Sequence, residues 1–95
     1  MNMVKIYISG PITSDPDNYK EHFEKAAKRI EMLGCIPVNP ALNKADSYKE
    51  CMDIALRQLS ACDKIFMLDG WEYSSGARLQ RHYAEVVGME IGYET

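Results

Sequence analysis

The chain has 95 residues, enough for one hydrophobic core, so residues 1–95 are read as one domain. Fourteen Asp+Glu against eleven Lys+Arg leave a formal charge of −3 with no run of like charge, which argues against duplex nucleic acid as a partner. Hydrophobic residues at 46% and charged ones at 26% give a folded protein's balance, and the longest apolar stretches, such as Ile65-Phe66-Met67-Leu68, fall far short of the ~20 residues of a membrane span.

Met1-Asn2-Met3-Val4-Lys5 lacks the charged start, long apolar middle and small-residue cleavage site of a signal peptide, so the protein is expected in the cytoplasm and off the membrane. Val4 to Ser9 mixes β-branched and aromatic residues and runs into Gly10-Pro11, which predicts a strand ended by a turn. Asp15-Pro16-Asp17 then offers an N-cap with Pro in the first turn. Tyr19, Phe23, Ala26, Ala27, Ile30 and Leu33 recur at helical spacing up to Gly34. Cys35-Ile36-Pro37-Val38 predicts a second strand, at a sheet edge because Pro37 brings no N–H to the ladder.

Asn39 to Asp46 reads as a loop. Ser47-Tyr48-Lys49-Glu50 is a capping box that starts a second helix, whose stripe of Cys51, Ile54, Ala55, Gln58, Leu59 and Cys62 is expected to face inward. Lys64 to Leu68 is a third strand, ended by Asp69-Gly70. Ser74-Ser75-Gly76 opens a third helix that closes at Val87-Gly88, and Met89 to Gly92 forms a last short strand before a frayed tail. Cys35, Cys51 and Cys62 are odd in number, have no C-x-x-C spacing and no His placed to complete a zinc site. They are read as reduced thiols, with no metal and no cofactor expected.

Strands that alternate with helices predict an α/β fold: a mainly parallel four-stranded sheet with helices on both faces and right-handed crossovers. In such sheets ligands bind beyond the carboxyl ends of the strands, where the strand order reverses. The segments that land there are Ser9-Gly10-Pro11-Ile12, Asn39-Pro40, and Asp69 to Gly76.

Within those loops, Gly10 either lets backbone N–H groups approach a ligand or makes a plain turn. Ser74-Ser75-Gly76-Ala77-Arg78 combines hydroxyls, a glycine and the first N–H groups of a helix, with Arg78 as a clamp for phosphate or carboxylate. The alternative is that one serine merely caps the helix while Arg78 is solvated. Trp71 and Tyr73 either stack on a base or close the core or a subunit interface. Gln80 shares the apolar face of Ala77, Tyr83, Ala84 and Val87 and must find a hydrogen-bond partner, in a ligand or in the backbone. Asp53 and Asp63 are read as cap or surface charges, and His22 and His82, which flank charged residues on helix faces, as neither base nor ligand.

Lys5 to Ile12, Asn39-Pro40, Cys62-Asp63, Leu68-Asp69-Gly70-Trp71 and Ser74 to Leu79 together make the chain resemble the nucleoside 2-deoxyribosyltransferase-like family, from about Lys5 to Ile91. More closely, it resembles that family's minimal, often phage-encoded members of unassigned function. The resemblance implies a flavodoxin-like doubly wound sheet, a pocket for a nucleoside or nucleotide, and a homodimer or larger homo-oligomer. Relatives act on the N-glycosidic bond through a Glu nucleophile on the helix after the glycine. Where the resemblance places that Glu, this chain reads Gly76-Ala77-Arg78-Leu79-Gln80, and a second acid that relatives carry would fall at Ala55. An amide at position 80 carries no charge with which to attack an anomeric carbon.

The ligand-binding set expected from these readings is Ser9, Gly10, Pro11, Ile12, Asn39, Asp69, Trp71, Ser74, Ser75, Gly76, Ala77, Arg78 and Gln80. Gln80 and Asp69 are the candidates for any catalytic role. The first reading is a binding protein that holds a ribose-containing nucleotide without cleaving it, for instance to sequester an ADP-ribose-type signal. The alternative is a nucleoside or nucleotide N-glycosidase or deoxyribosyltransferase in which Asp69 or a partner residue takes over. A third is an interaction protein with a vestigial pocket.

Overall fold

A computed structural model describes residues 3–94; Met1 and Asn2 of the N-terminal stretch and Thr95 of the tail lie outside them. The strands are β1 (Lys5–Ser9), β2 (Ile36–Val38), β3 (Lys64–Met67) and β4 (Glu90–Tyr93), and the helices α1 (Tyr19–Met32), α2 (Tyr48–Ser60) and α3 (Ser75–Val87). Short 3-10 turns occupy Pro40–Leu42 and Trp71–Tyr73. The sheet order is β2-β1-β3-β4 and every pairing is parallel, so the expected doubly wound α/β sheet is present. Pro37 lies on β2, which pairs only with β1 at the sheet edge.

Successive strand residues point to opposite faces, and this divides the core in two. Ile6 and Ile8 pack with Phe23, Ala26 and Ile30 of α1, while Tyr7, Ile65 and Met67 pack with Ala55 and Leu59 of α2 and Ala77 and Ala84 of α3. Both consequences follow from right-handed crossovers: the β1-to-β2 connection runs one way and the next two run the other, placing α1 opposite α2 and α3. The direction reverses between β1 and β3, so the crevice of this fold opens beside the end of β1.

Several local expectations shift. α1 begins at Tyr19 with Asn18 as its cap, not at Asp15, whose carbonyl instead closes a separate turn by accepting from Asn18 N at 3.3 Å and Tyr19 N at 3.0 Å. The helix starts where its apolar stripe starts, with Tyr19 edge-on to Phe23 at 6.5 Å. Leu33 falls just beyond the helix and is exposed, because Gly34 (φ 81°) turns the chain there: its N–H bonds Glu31 O at 2.9 Å and that of Cys35 bonds Ile30 O at 3.2 Å. Val87 is exposed for the same reason, as the last residue before Gly88.

The capping box forms with one change. Ser47 Oγ accepts from Glu50 N at 3.1 Å, while the Glu50 carboxylate accepts from Asp46 N at 3.0 Å, one residue before the cap. The tail is held rather than frayed as far as Glu94. Its N–H bonds Met67 O at 2.8 Å, and its carboxylate meets His22 Nε2 at 2.7 Å and Asp69 N at 2.8 Å. Among the described residues no helix is long and apolar enough to cross a membrane.

Candidate functional site

The crevice at the end of β1 deepens into a cavity of about 130 Å³. Its floor is Tyr7, with Gly10, Ile12 and Thr13 from the loop that follows, and Phe23 reaches it from α1. One wall is Tyr48, Cys51, Met52 and Ala55, spaced i, i+3, i+4 and i+7 along α2 and therefore on one helical face. The opposite wall is Ser74, Gly76, Ala77 and Gln80 at the start of α3. Pro40 and Asn43 close one side, and that loop is tied to α2 by a reciprocal amide pair: Asn43 Nδ2 to Gln58 Oε1 at 2.7 Å and Gln58 Nε2 to Asn43 Oδ1 at 3.0 Å.

The two helical walls meet closely. A side chain at Gly76 would come within 3.0 Å of Met52 Cε and 3.2 Å of the Tyr48 hydroxyl, so the glycine sets the spacing of α2 and α3. Gly10 also lines the cavity, and a side chain there would clash with the core, since a Cβ would sit 2.8 Å from Leu68 Cβ.

Three polar groups are buried at the inner end. The Ser9 hydroxyl donates to Gln80 Oε1 at 2.6 Å, and the Gln80 amide nitrogen reaches Met52 Sδ at 3.9 Å. Gln80, on the apolar stripe, thus found its partner in a side chain 71 residues earlier. Tyr7 is fully buried, and its hydroxyl has no hydrogen-bond partner among the described residues. Burial, and then the nearby Cys62 and Cys51 sulfurs, hold the phenol far above its usual pKa, so it stays protonated. Burial likewise pushes the Cys62 thiol up to about 11, with Lys5 opposing and Asp63 adding to the shift.

Of the residues singled out from the sequence, Gly10, Ile12, Ser74, Gly76, Ala77 and Gln80 line the cavity, and Ser9 sits just behind it holding Gln80. The others lie elsewhere. Pro11 packs against Gly70, its Cγ 3.3 Å from where a Cβ would stand. Asn39 caps the Pro40–Leu42 turn by accepting from Ala41 N at 3.0 Å. Trp71 closes the end of the core beneath the Arg81 guanidinium, 5.1 Å above its ring, and beside Tyr93 at 6.0 Å. Asp69, Tyr73, Ser75 and Arg78 are exposed and outside the lining. Ser74 caps α3, its Oγ accepting from Ala77 N at 3.2 Å.

Asp63 ties β3 to β1 by accepting from Lys5 N at 2.9 Å, and Asp53 pairs with Lys49 at 2.7 Å on the surface. Among the described residues no group of His, Cys, Asp or Glu is placed to hold a metal.

The sequence reading missed the α2 wall. Cys51 was expected to be buried and is exposed, because the first turn of α2 stands over the cavity instead of the core. The stripe through Tyr48, Cys51, Met52 and Ala55 was visible as periodicity, but periodicity does not distinguish a core face from a cavity face. Tyr7 carried a signal too, as a hydroxyl in a strand between Ile6 and Ile8.

A family model, Domain of unknown function (DUF4406), matches residues 4–93. No curated protein matches the chain. Among solved structures, a 2-deoxyribosyltransferase of Leishmania mexicana superposes with a TM-score of 0.77 at 22% identity, over 95% of this chain and 63% of its own. A 2-deoxyribosyltransferase of Bacillus psychrosaccharolyticus gives 0.75 at 19% identity, over 95% of this chain and 71% of its own. A conserved protein of Enterococcus faecalis gives 0.70 at 21% identity, over 97% and 63%. What is shared at this level is the fold, a 2-deoxyribosyltransferase-like sheet and helices, and the chain spans 63% of the length of the Leishmania protein.

Proposed function

The chain belongs to the DUF4406 family, and from that premise we propose that it is a nucleotide-binding protein that holds a ribose-containing nucleotide in its cavity without cleaving it. One observation carries the reading: among the described residues, the cavity lining contains no Asp, Glu or His. Ala55 and Gln80, which stand where the resemblance places two acids, both line it. Cleavage of a glycosidic bond draws on carboxylates that protonate the leaving group and attack or stabilise the anomeric carbon. A cavity walled by amides, hydroxyls and apolar groups binds and does not supply them.

The fold supports the ligand class, because the two named structural neighbours are 2-deoxyribosyltransferases. The volume supports how it sits. About 130 Å³ is close to the ~150 Å³ of an engineered cavity that takes up benzene. One ring of the nucleotide enters and the phosphates stay outside the cavity, within reach of solvent and of the N-terminal turn of α3 that carries the exposed Ser75 and Arg78. Tight binding of a signalling nucleotide in this manner would sequester it. Exposed Leu79 and Val86 on the outer side of α3 give a homodimer an apolar contact.

The test is incubation of the purified protein with nucleosides, deoxynucleotides, NAD and cyclic ADP-ribose isomers, followed by chromatography of the solution before and after heat denaturation. The expected result is a ligand that leaves solution and returns unchanged on heating. Free base that accumulates with time would show an N-glycosidase or transferase instead, and no uptake of any compound would end the nucleotide reading.

A further inference from the structure

We infer that the inner end of the cavity is built to receive a hydrogen-bond acceptor, and that the ring it takes is an uncharged one carrying a carbonyl oxygen. This deepens the proposed function by naming the chemistry of the buried end of the ligand.

Two side chains carry the argument. Period-2 geometry turns Tyr7 to the α2 and α3 side of β1, where it is fully buried and its hydroxyl has no partner among the described residues. A buried hydroxyl without a partner is uncommon, because its lost hydration is not returned. The second is Gln80, only 8% exposed, whose carbonyl oxygen is taken by the Ser9 hydroxyl. Its NH₂ group is left with the Met52 sulfur at 3.9 Å, a weak acceptor. The inner end therefore holds a phenol hydroxyl without a partner among the described residues and an amide NH₂ whose acceptor is a weak one.

A carbonyl oxygen has two lone pairs and accepts from a phenol O–H as well as from an amide N–H. The Met52 thioether, unbranched and polarizable, now stands where that oxygen would bond Gln80, and it is the group an incoming ring would move aside. An ionised carboxylate fits less well. Among the described residues no Lys, Arg or His lines the cavity, so a buried anion would have no opposite charge to offset its desolvation. A ring with only donor groups fits least, because it leaves the Gln80 NH₂ with no better acceptor than the Met52 sulfur and uses the phenol only as an acceptor.

The probes are single rings of the cavity's size: 2-pyridone with a carbonyl acceptor, benzene with none, aniline with a donor, and benzoate with a charge. Each is titrated into the full chain and followed by chemical-shift changes. The expected order places 2-pyridone first by about tenfold, the size of one satisfied donor. Tyr7→Phe should cost 2-pyridone about tenfold while leaving benzene unchanged. Gln80→Glu, which replaces a donor with an acceptor, should move preference from 2-pyridone toward aniline.

Equal binding of benzene and 2-pyridone, tighter binding of aniline or benzoate, or no ring binding at all would overturn the inference. So would a Tyr7→Phe protein that binds 2-pyridone as tightly as wild type, a variant expected to fold whatever Gln80→Glu does. Nucleosides run in parallel separate the two claims. Selective 2-pyridone binding without nucleoside binding would sink the proposed function alone, and nucleoside binding without acceptor selectivity would sink this inference alone.

Discussion

Tyr7→Phe should make the ligand-free protein more stable, an unusual direction for a change at a fully buried core position. The substitution deletes one oxygen whose hydrogen-bonding capacity is unmet among the described residues. Leaving such a group unsatisfied costs about 1–3 kcal/mol, and phenylalanine avoids that cost. The ring contacts to Ala55, Leu59 and Ile65 remain, and the atom removed borders a residue already lining a cavity, so little new void is created. A net gain of about 1 kcal/mol raises Tm by about 4–8 °C in a domain of this size.

The assay is a thermal melt paired with urea denaturation of both proteins without ligand. A loss of 1 kcal/mol or more would refute the reasoning, because it would mean that the hydroxyl makes a native hydrogen bond. Binding should move the opposite way, weaker in the more stable variant, which is the signature of a group kept for a ligand.

Ser9→Ala should do the reverse to stability: it strands Gln80 Oε1 inside the core and costs about 1–3 kcal/mol, read as a lower urea midpoint. Gly10→Ala places a methyl 2.8 Å from Leu68 Cβ and should cost about 1–3 kcal/mol from overpacking. An unchanged midpoint would show that the loop moves aside freely. Iodoacetamide at neutral pH should label exposed Cys51, and a bound cavity ligand should slow that reaction, while buried Cys62 labels only on unfolding; equal rates at both would contradict this placement. The Cys62 thiol binds its proton more tightly folded than unfolded, so its contribution is complete below about pH 9 and is lost as pH rises to about 11; the Tyr7 phenol acts in the same direction but only from its ordinary value of 10.0 upward. Urea midpoints should fall over that interval and stay level from neutral pH to about 8.

The elements were legible because each is specified by residues a few positions apart. Ser47 and Glu50 mark the start of α2 within one turn, Gly34 and Gly88 mark the ends of α1 and α3, and Pro37 marks an edge strand. The parallel order followed from the alternation of these elements, and the site's end of the sheet followed from the order. Where local signals competed, packing decided: Asp15-Pro16 offered a cap, yet α1 starts at Tyr19, where its contact with Phe23 begins.

The sequence by itself determined the α/β class, the three loops that gather at the carboxyl ends of the strands, and the amide at position 80. Only the tertiary structure decided which side chains face one another there. Ser9 and Gln80 stand 71 residues apart and meet at 2.6 Å, and neither sequence neighbourhood records the other. Ser74, Gly76 and Gln80 look into the cavity while Arg78, on the same helix, looks out, since the rotation of α3 is set by what Ala77 and Ala84 pack against. The unmet hydroxyl of Tyr7 is likewise a property of three surrounding elements, because an atom's partners are fixed by packing across the sheet and not by its place along the chain.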